Sequence, residues 1–210
     1  MTKLLIAGAT GLVGQLALEL ALADKRVSHV VALTRRPIAA HDKLENVVID
    51  FSDMPGQAAW WSVDGVISSL GTTRAAAKSQ SAYRTIDYEY PLAIARHARD
   101  HGATRFALTS SLGADPSSRF AYTRLKGELE SALTTIGFPS LTILRASVLD
   151  GDREKGSFEE RTARTVFRML SLVLPRWLRI SPARTVAAAL LEGAVSAPPG
   201  VHVKHNEDMN

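Results

Sequence analysis

The chain has 210 residues, of which 46% are hydrophobic, and these values are typical of one globular domain with a sizeable core. Its apolar runs are far shorter than the ~20 residues that cross a bilayer, so no membrane span is expected. The N-terminal segment reaches a glycine-rich turn before a signal peptide is complete, which argues against export. The sequence contains no Cys, which excludes disulfides and thiolate metal sites and suits a cytoplasmic location.

The formal net charge is +4, and the positive excess lies in one region. Between Arg145 and Arg184, nine Lys and Arg residues stand against five acids, whereas the rest of the chain is balanced. The excess indicates either an anionic ligand near the C-terminal third or a solvated helix face, because Arg161, Arg164 and Arg168 are spaced to share one face. The pI of about 9.6 would suit nucleic acid, but no recognition motif accompanies it, so no nucleic-acid partner is expected.

Six short β-rich apolar segments predict strands, and helical patterns lie between several of them. The strands are expected at residues 4–7, 30–33, 47–49, 66–70, 106–109 and 141–144. Helices are expected at residues 12–23, 83–100 and 119–136, with a kink or a broken first turn at Pro91, whereas residues 35–46 predict no helix. The alternation indicates an α/β fold, a single Rossmann-type doubly wound parallel sheet. One domain is expected over residues 1–210, with residues 145–196 as a small substrate-side segment and 197–210 as a polar tail.

The first strand runs directly into a glycine-rich turn, which a helix then follows. The turn reads Gly8-Ala9-Thr10-Gly11-Leu12-Val13-Gly14. Glycines at this spacing let the backbone approach a pyrophosphate and direct free N–H groups and a helix N-terminus at the anion. A nucleoside-triphosphate loop is disfavoured because Gln15 and Leu16 follow in place of Lys and a hydroxyl residue. The turn therefore predicts a dinucleotide site.

The ends of the next strands indicate which dinucleotide is bound. Arg35 and Arg36 follow the second strand, where an acid would hold the ribose 2′-hydroxyl of NAD. Two guanidinium groups match a 2′-phosphate instead, so NADP(H) is expected in preference to NAD(H). Asp50 ends the third strand, near the expected adenine edge, and Leu70 and Gly71 end the fourth, where small residues leave room for ribose and nicotinamide.

A Ser, Tyr and Lys combination follows the fifth strand. Ser110 and Ser111 lie at the strand end, and Tyr122 and Lys126 lie four residues apart in the next predicted helix, on one face. The ammonium can stabilise the phenolate and hold the ribose hydroxyls, so that the phenol serves as general acid and base. One of the two Ser hydroxyls can bind the substrate oxygen, and the sequence leaves open which of them does so.

Together these motifs resemble the short-chain dehydrogenase/reductase superfamily, in particular its atypical, Tat-interacting-protein-like branch. The resemblance extends over nearly the whole chain and includes Arg145 and the later pair Asp152-Arg153. It implies that the NADPH site is lined by Thr10, Gly11, Val13, Gly14, Arg35, Arg36, Leu70, Gly71, Tyr122, Lys126, Arg145 and Arg153. It also implies that Tyr122 is the active-site acid and base. The chain departs from many relatives because little sequence follows the sixth strand, which leaves the substrate unspecified.

The sequence therefore predicts an NADPH-dependent oxidoreductase of the carbonyl reductase type. Its substrate is expected to be a small carbonyl compound, without a membrane partner, in a monomer or homodimer. None of the six His residues has metal-ligand spacing backed by other ligands, so no metal site is expected. An alternative is a redox-sensing protein that binds NADP(H) and signals through partners with little catalysis.

Overall fold

A computed structural model describes residues 1–72, 77, 79–147, 149–150, 181–205 and 208. Its main feature is a seven-stranded sheet in which all paired strands are parallel. The strands, in chain order, are β1 Thr2–Ala7, β2 Val27–Thr34, β3 Leu44–Val48, β4 Gly65–Ser68, β5 Arg105–Ser111, β6 Ser140–Ala146, β7 Leu149–Asp150, β8 Ser181–Pro182 and β9 Gly200–His205. The sheet has the order β3-β2-β1-β4-β5-β6-β9, and β7 pairs separately with β8.

Helices cover both faces of this sheet. They are α1 Leu12–Ala23, α2 Gln80–Arg84, α3 Tyr90–Asp100, α4 Ala121–Ile136 and α5 Ala183–Val195, with a π-helical turn at Thr85–Glu89 and a 3-10 turn at Ala59–Trp61. Helices α1 and α5 pack on one face around the fully buried Ile6 and Ala187. Helices α3 and α4 pack on the other around the fully buried Trp61 and Phe106. The fold is the predicted doubly wound α/β sheet.

The six predicted strands and the first helix are confirmed, and residues 35–43, which connect β2 to β3, contain no helix. The apolar runs of β1, β2 and β4 are buried on both sides, as expected for strands in the middle of a parallel sheet, whereas β3 is only partly buried. Helix α4 ends as predicted at Gly137, whose φ of +75° is a left-handed conformation that glycine adopts without strain. Parallel strands place all their carboxyl ends at one edge, where ligands of such sheets bind.

The helix predicted at 83–100 begins earlier and is not uniform. It consists of α2, the π-helical turn and α3 in direct succession. Pro91 lies at the start of α3, directly after the π-helical turn, where it has no N–H to donate to a carbonyl of the preceding turn. The π-helical turn is the irregularity expected from Pro91, and it contains Asp87, whose side chain is buried.

The expectation of a polar tail at 197–210 is wrong, because Gly200–His205 forms the edge strand β9 beside β6. Its alternation of valines with His and Lys is short, and it lies between polar segments that mask the pattern. The predicted substrate-side segment 145–196 lies largely outside the described residues, and α5 at its end packs against α1 and the sheet. Within the described part of the chain, no helix has the length and apolar character needed to cross a membrane.

Candidate functional site

The glycine turn between β1 and α1 forms a close-packed cradle. Gly8 has a φ of +90°, and a Cβ atom there would lie 2.8 Å from the backbone of Ser69. A Cβ on Gly14 would lie 2.0 Å from the carbonyl oxygen of Gly8, so no side chain fits at either position. Thr10 and Gly11 are exposed, whereas Val13 is buried and Leu12 is half-buried. The turn thus exposes backbone at the carboxyl edge of the sheet, next to the start of α1.

Arg35 and Arg36 lie at the same edge, directly after β2. Both are exposed, and within the described residues neither guanidinium makes an ion pair. The Thr34 hydroxyl, which is buried, donates to the carbonyl oxygen of Arg36 at 2.8 Å. Two adjacent cations whose charge is not neutralised by a nearby acid can bind an anionic group.

Asp50 lies beyond the end of β3 and is exposed. Its carboxylate accepts hydrogen bonds from the backbone N–H of Ser52 at 2.9 Å and from the Ser52 hydroxyl at 2.8 Å. These two bonds lower the pKa of Asp50, with the backbone amide as the larger cause. The residue therefore remains ionised at neutral pH at the position where the sequence predicts the adenine edge.

A buried ion pair joins the π-helical turn to α4, next to the segment that follows β4. The Lys126 ammonium lies 3.0 Å from Asp87 Oδ1, with 5% and 1% of the two side chains exposed. The other carboxylate oxygen of Asp87 accepts from the backbone N–H of Thr72 at 2.8 Å. Gly71 completes this arrangement, since a Cβ there would lie 3.3 Å from Asp87 Oδ1 and 3.9 Å from Lys126 Nζ. Leu70, just before it, is half-buried.

Asp87 is a residue that the sequence reasoning missed. Tyr122, one turn from Lys126 in α4, is 45% exposed and open to a ligand. The Lys126 ammonium is paired with Asp87 and is therefore not the unpaired cation that the sequence interpretation assumes. The only sequence signal for Asp87 is an acid within the helical pattern before α3. Its separation along the chain from Lys126 gives no indication that the two residues pair.

Ser110 and Arg145 both contact Glu130, a buried acid of α4. The Ser110 hydroxyl donates to Glu130, and Arg145 donates to the same carboxylate from Nε at 3.2 Å and Nη2 at 2.6 Å. This carboxylate raises the pKa of Arg145 and occupies its guanidinium. Ser110 and Arg145 therefore supply the donor and the cation that a buried carboxylate needs, and their expected roles at the substrate and at the cofactor stay predictions.

Ser111 is the last residue of β5, next to the loop that leads to Tyr122. Its hydroxyl donates to the carbonyl oxygen of Leu112 at 3.2 Å. The loop then runs along the start of α4, where a Cβ on Gly127 would lie 2.3 Å from the backbone of Asp115 and Pro116. Gly127 therefore lets this loop pack directly on the helix that carries Tyr122.

A cavity of about 490 Å³ opens between α2 and α4. Its lining includes Arg84, Arg124 and Glu128 but neither Tyr122 nor Lys126, so it is not the site at the carboxyl edge of the sheet. Arg153 and the predicted basic face of Arg161, Arg164 and Arg168 lie outside the described residues.

Comparison with known proteins identifies the family. A family model described as NAD(P)H-binding matches residues 8–171, from the first glycine of the cradle through β6 and beyond. The chain belongs to the NAD(P)H-binding family. This match confirms the NAD(P)-binding part of the resemblance, and the fold agrees with that of short-chain dehydrogenases/reductases.

The similar proteins include a fungal relative and two bacterial structures. Protein fmp52, mitochondrial, of Emericella nidulans is 37% identical over 172 residues, which cover 78% of this chain and 74% of the relative. The Bordetella bronchiseptica enzyme WbmH in complex with NAD+ has a TM-score of 0.71 at 16% identity, covering 98% of this chain and 75% of that one. A short chain dehydrogenase family protein of Francisella tularensis has a TM-score of 0.70 at 15% identity, covering 99% and 98%. At these identities the two structures establish the fold alone.

The expectation of a cytoplasmic location is contradicted by the fungal relatives. Those from Emericella nidulans, Coccidioides immitis and Candida albicans are all named as mitochondrial. The expectation rested on the lack of Cys and of an export signal, and that composition is compatible with more than one compartment.

Proposed function

We propose that the protein is an NADPH-dependent oxidoreductase that reduces a small carbonyl compound with Tyr122 as the proton donor. The observation that carries the proposal is the convergence of Gly71, Asp87 and Lys126 one helical turn below the exposed Tyr122. This cluster lies at the same edge of the sheet as the glycine cradle. A dinucleotide that extends from the cradle across the sheet edge reaches this cluster.

The residues present fit such a cofactor. Gly8 and Gly14 have no space for a Cβ, and the exposed Thr10 and Gly11 lie at the start of α1, where backbone N–H groups can bind a pyrophosphate. Arg35 and Arg36 provide the charge and the planar donor groups that bind a 2′-phosphate. When bound, NADPH supplies the hydride.

The protein's own residues supply the proton and the positioning. The Tyr122 hydroxyl donates its proton to the carbonyl oxygen as that oxygen gains negative charge. Asp87 holds the Lys126 ammonium at the end of β4, where its remaining N–H donors bind ribose hydroxyls. Ser111, rather than Ser110, is assigned to the substrate oxygen, because the Ser110 hydroxyl donates to the buried carboxylate of Glu130, whereas the Ser111 hydroxyl makes a longer bond of 3.2 Å to the neutral carbonyl of Leu112, which a substrate oxygen can replace.

The test is NADPH oxidation with a panel of aldehydes, ketones and quinones, measured for the wild type, Tyr122→Phe and Tyr90→Phe. General acid catalysis contributes about 10²–10⁴-fold, so Tyr122→Phe should lose that much turnover at unchanged NADPH affinity. Tyr90→Phe is the control for loss of a different phenol hydroxyl, since the Tyr90 ring packs against Phe51. NADPH binding without turnover on any compound would contradict the proposal and favour the redox-sensing alternative.

A further inference from the structure

The Asn46 side chain makes its hydrogen bonds with the segment that carries Arg35 and Arg36. Asn46 lies in β3 opposite Ala32 of β2. Its Nδ2 donates to the carbonyl oxygen of Ala32 at 3.1 Å and to the Thr34 hydroxyl at 2.7 Å. Its Oδ1 accepts from the backbone N–H of Ile38 at 3.0 Å. One amide group therefore contacts this segment both before and after the two arginines.

Thr34 extends this contact to the arginines themselves. Its hydroxyl accepts from Asn46 and donates to the carbonyl oxygen of Arg36 at 2.8 Å. At the far side of the turn, the Ile38 side chain packs against the hydrophobic cluster under the sheet. Asn46 and Thr34 together thus fix the backbone of the turn between two anchored points.

This fixation matters because few other contacts in the described chain hold the backbone next to the arginines, among them the Ile49 N–H, which donates to the Thr34 carbonyl oxygen at 2.9 Å. The connection from β2 to β3 contains no helix, and both guanidinium groups are exposed without an ion pair among the described residues. Ordering a flexible backbone on binding costs affinity, whereas a turn that is already ordered avoids that cost.

We propose that Asn46 determines cofactor specificity by holding the turn that presents Arg35 and Arg36 to the 2′-phosphate of NADPH. The inference rests on the proposed preference for NADPH. The side chain acts through the turn and does not itself touch the cofactor, so it is a positioning residue. The amide is required in place of a carboxylate, because Asp at this position would lose both Nδ2 donors and bring negative charge toward the phosphate site.

The test is to measure Kd for NADPH and for NADH with the wild type, Asn46→Ala, Asn46→Asp and Thr34→Val. Asn46→Ala should weaken NADPH about fivefold, the change that corresponds to one net hydrogen bond, and leave NADH within about twofold. Asn46→Asp should weaken NADPH further. Thr34→Val, which keeps the buried shape and removes the hydroxyl, should act in the same direction and serves if Asn46→Ala does not fold.

Glu45→Ala is the matched control, since Glu45 is the exposed neighbour in β3 and contacts His29 rather than the turn. It should leave both affinities unchanged. A purely structural role for Asn46 would weaken both cofactors equally, and that result would overturn the inference, as would an unchanged ratio in Asn46→Ala and Thr34→Val. Equal affinities in the wild type would instead overturn the proposed cofactor preference, and this inference with it.

Discussion

The buried ion pair between Asp87 and Lys126 makes a prediction about stability that does not depend on a substrate. Both side chains are almost fully buried, so removal of one partner leaves the other charge uncompensated in a site of low dielectric. We expect Asp87→Ala to lower the free energy of unfolding by about 3–5 kcal/mol. That is a large share of the roughly 5–15 kcal/mol by which domains are stable.

Two further variants separate the effect of the Asp87 charge on the free energy of unfolding from the effect of the side chain's shape. Asp87→Asn keeps an oxygen that accepts from the Thr72 amide, so it should cost less than Asp87→Ala. The double variant Asp87→Asn with Lys126→Met removes both charges together and should recover to within about 1 kcal/mol of the wild type. This double variant should nevertheless bind NADPH more weakly, because the ammonium assigned to the ribose is gone.

The assay is urea unfolding followed by circular dichroism, with the midpoint and the slope compared for each variant. The same helical region offers a matched control in the ion pair of Arg84 with Glu128, at 2.7 Å with 47% and 32% of the side chains exposed. Such exposed pairs contribute about 0–1 kcal/mol, so Glu128→Gln should change little. If Asp87→Ala costs no more than Glu128→Gln, the assignment of a buried, mutually dependent pair is wrong.

Two other predictions concern charge at the surface. Replacing both Arg35 and Arg36 by Ala should weaken NADPH by about 1–3 kcal/mol and leave NADH almost unchanged in a binding titration; equal losses would refute the phosphate role. Arg26 lowers the pKa values of Asp24 and Glu192, so its stabilising effect is present above about pH 4 and is lost as pH falls further. Arg26→Gln should therefore lower the thermal midpoint at pH 7 but not at pH 2, and a constant difference between the two proteins would contradict this cause.

Much of the fold could be predicted because its signals are local. The apolar runs of β1, β2, β4, β5 and β6 and the glycine spacing from Gly8 to Gly14 each lie within a few residues. The burial of both sheet faces makes such runs unambiguous. The sequence does not predict β9, because Val201 and Val203 remain partly exposed in this edge strand. Its pattern of apolar and polar residues therefore differs little from that of a polar terminus.

The site was predictable in its position but not in its pairings. The sequence predicts a site with Tyr122, Lys126 and one of Ser110 and Ser111, yet the partners of Lys126 and Arg145 are carboxylates that only the fold brings near. Asp87 and Glu130 occupy inward positions of helices, where a single acid among apolar residues does not reveal its partner. Asn46 likewise reads as an ordinary polar residue in a short strand.

Under the proposed function, this chain transfers hydride from NADPH to a carbonyl carbon with Tyr122 as the acid. The most direct measurement uses NADPH deuterated at the transferred position of the nicotinamide, with mass spectrometry of the products formed from the carbonyl panel. The proposed carbonyl reduction predicts deuterium on the carbinol carbon with the wild-type protein. It predicts at least about 100-fold less labelled product with Tyr122→Phe. Equal labelling by Tyr122→Phe, or no deuterated product from any carbonyl while NADPH is bound, would contradict it.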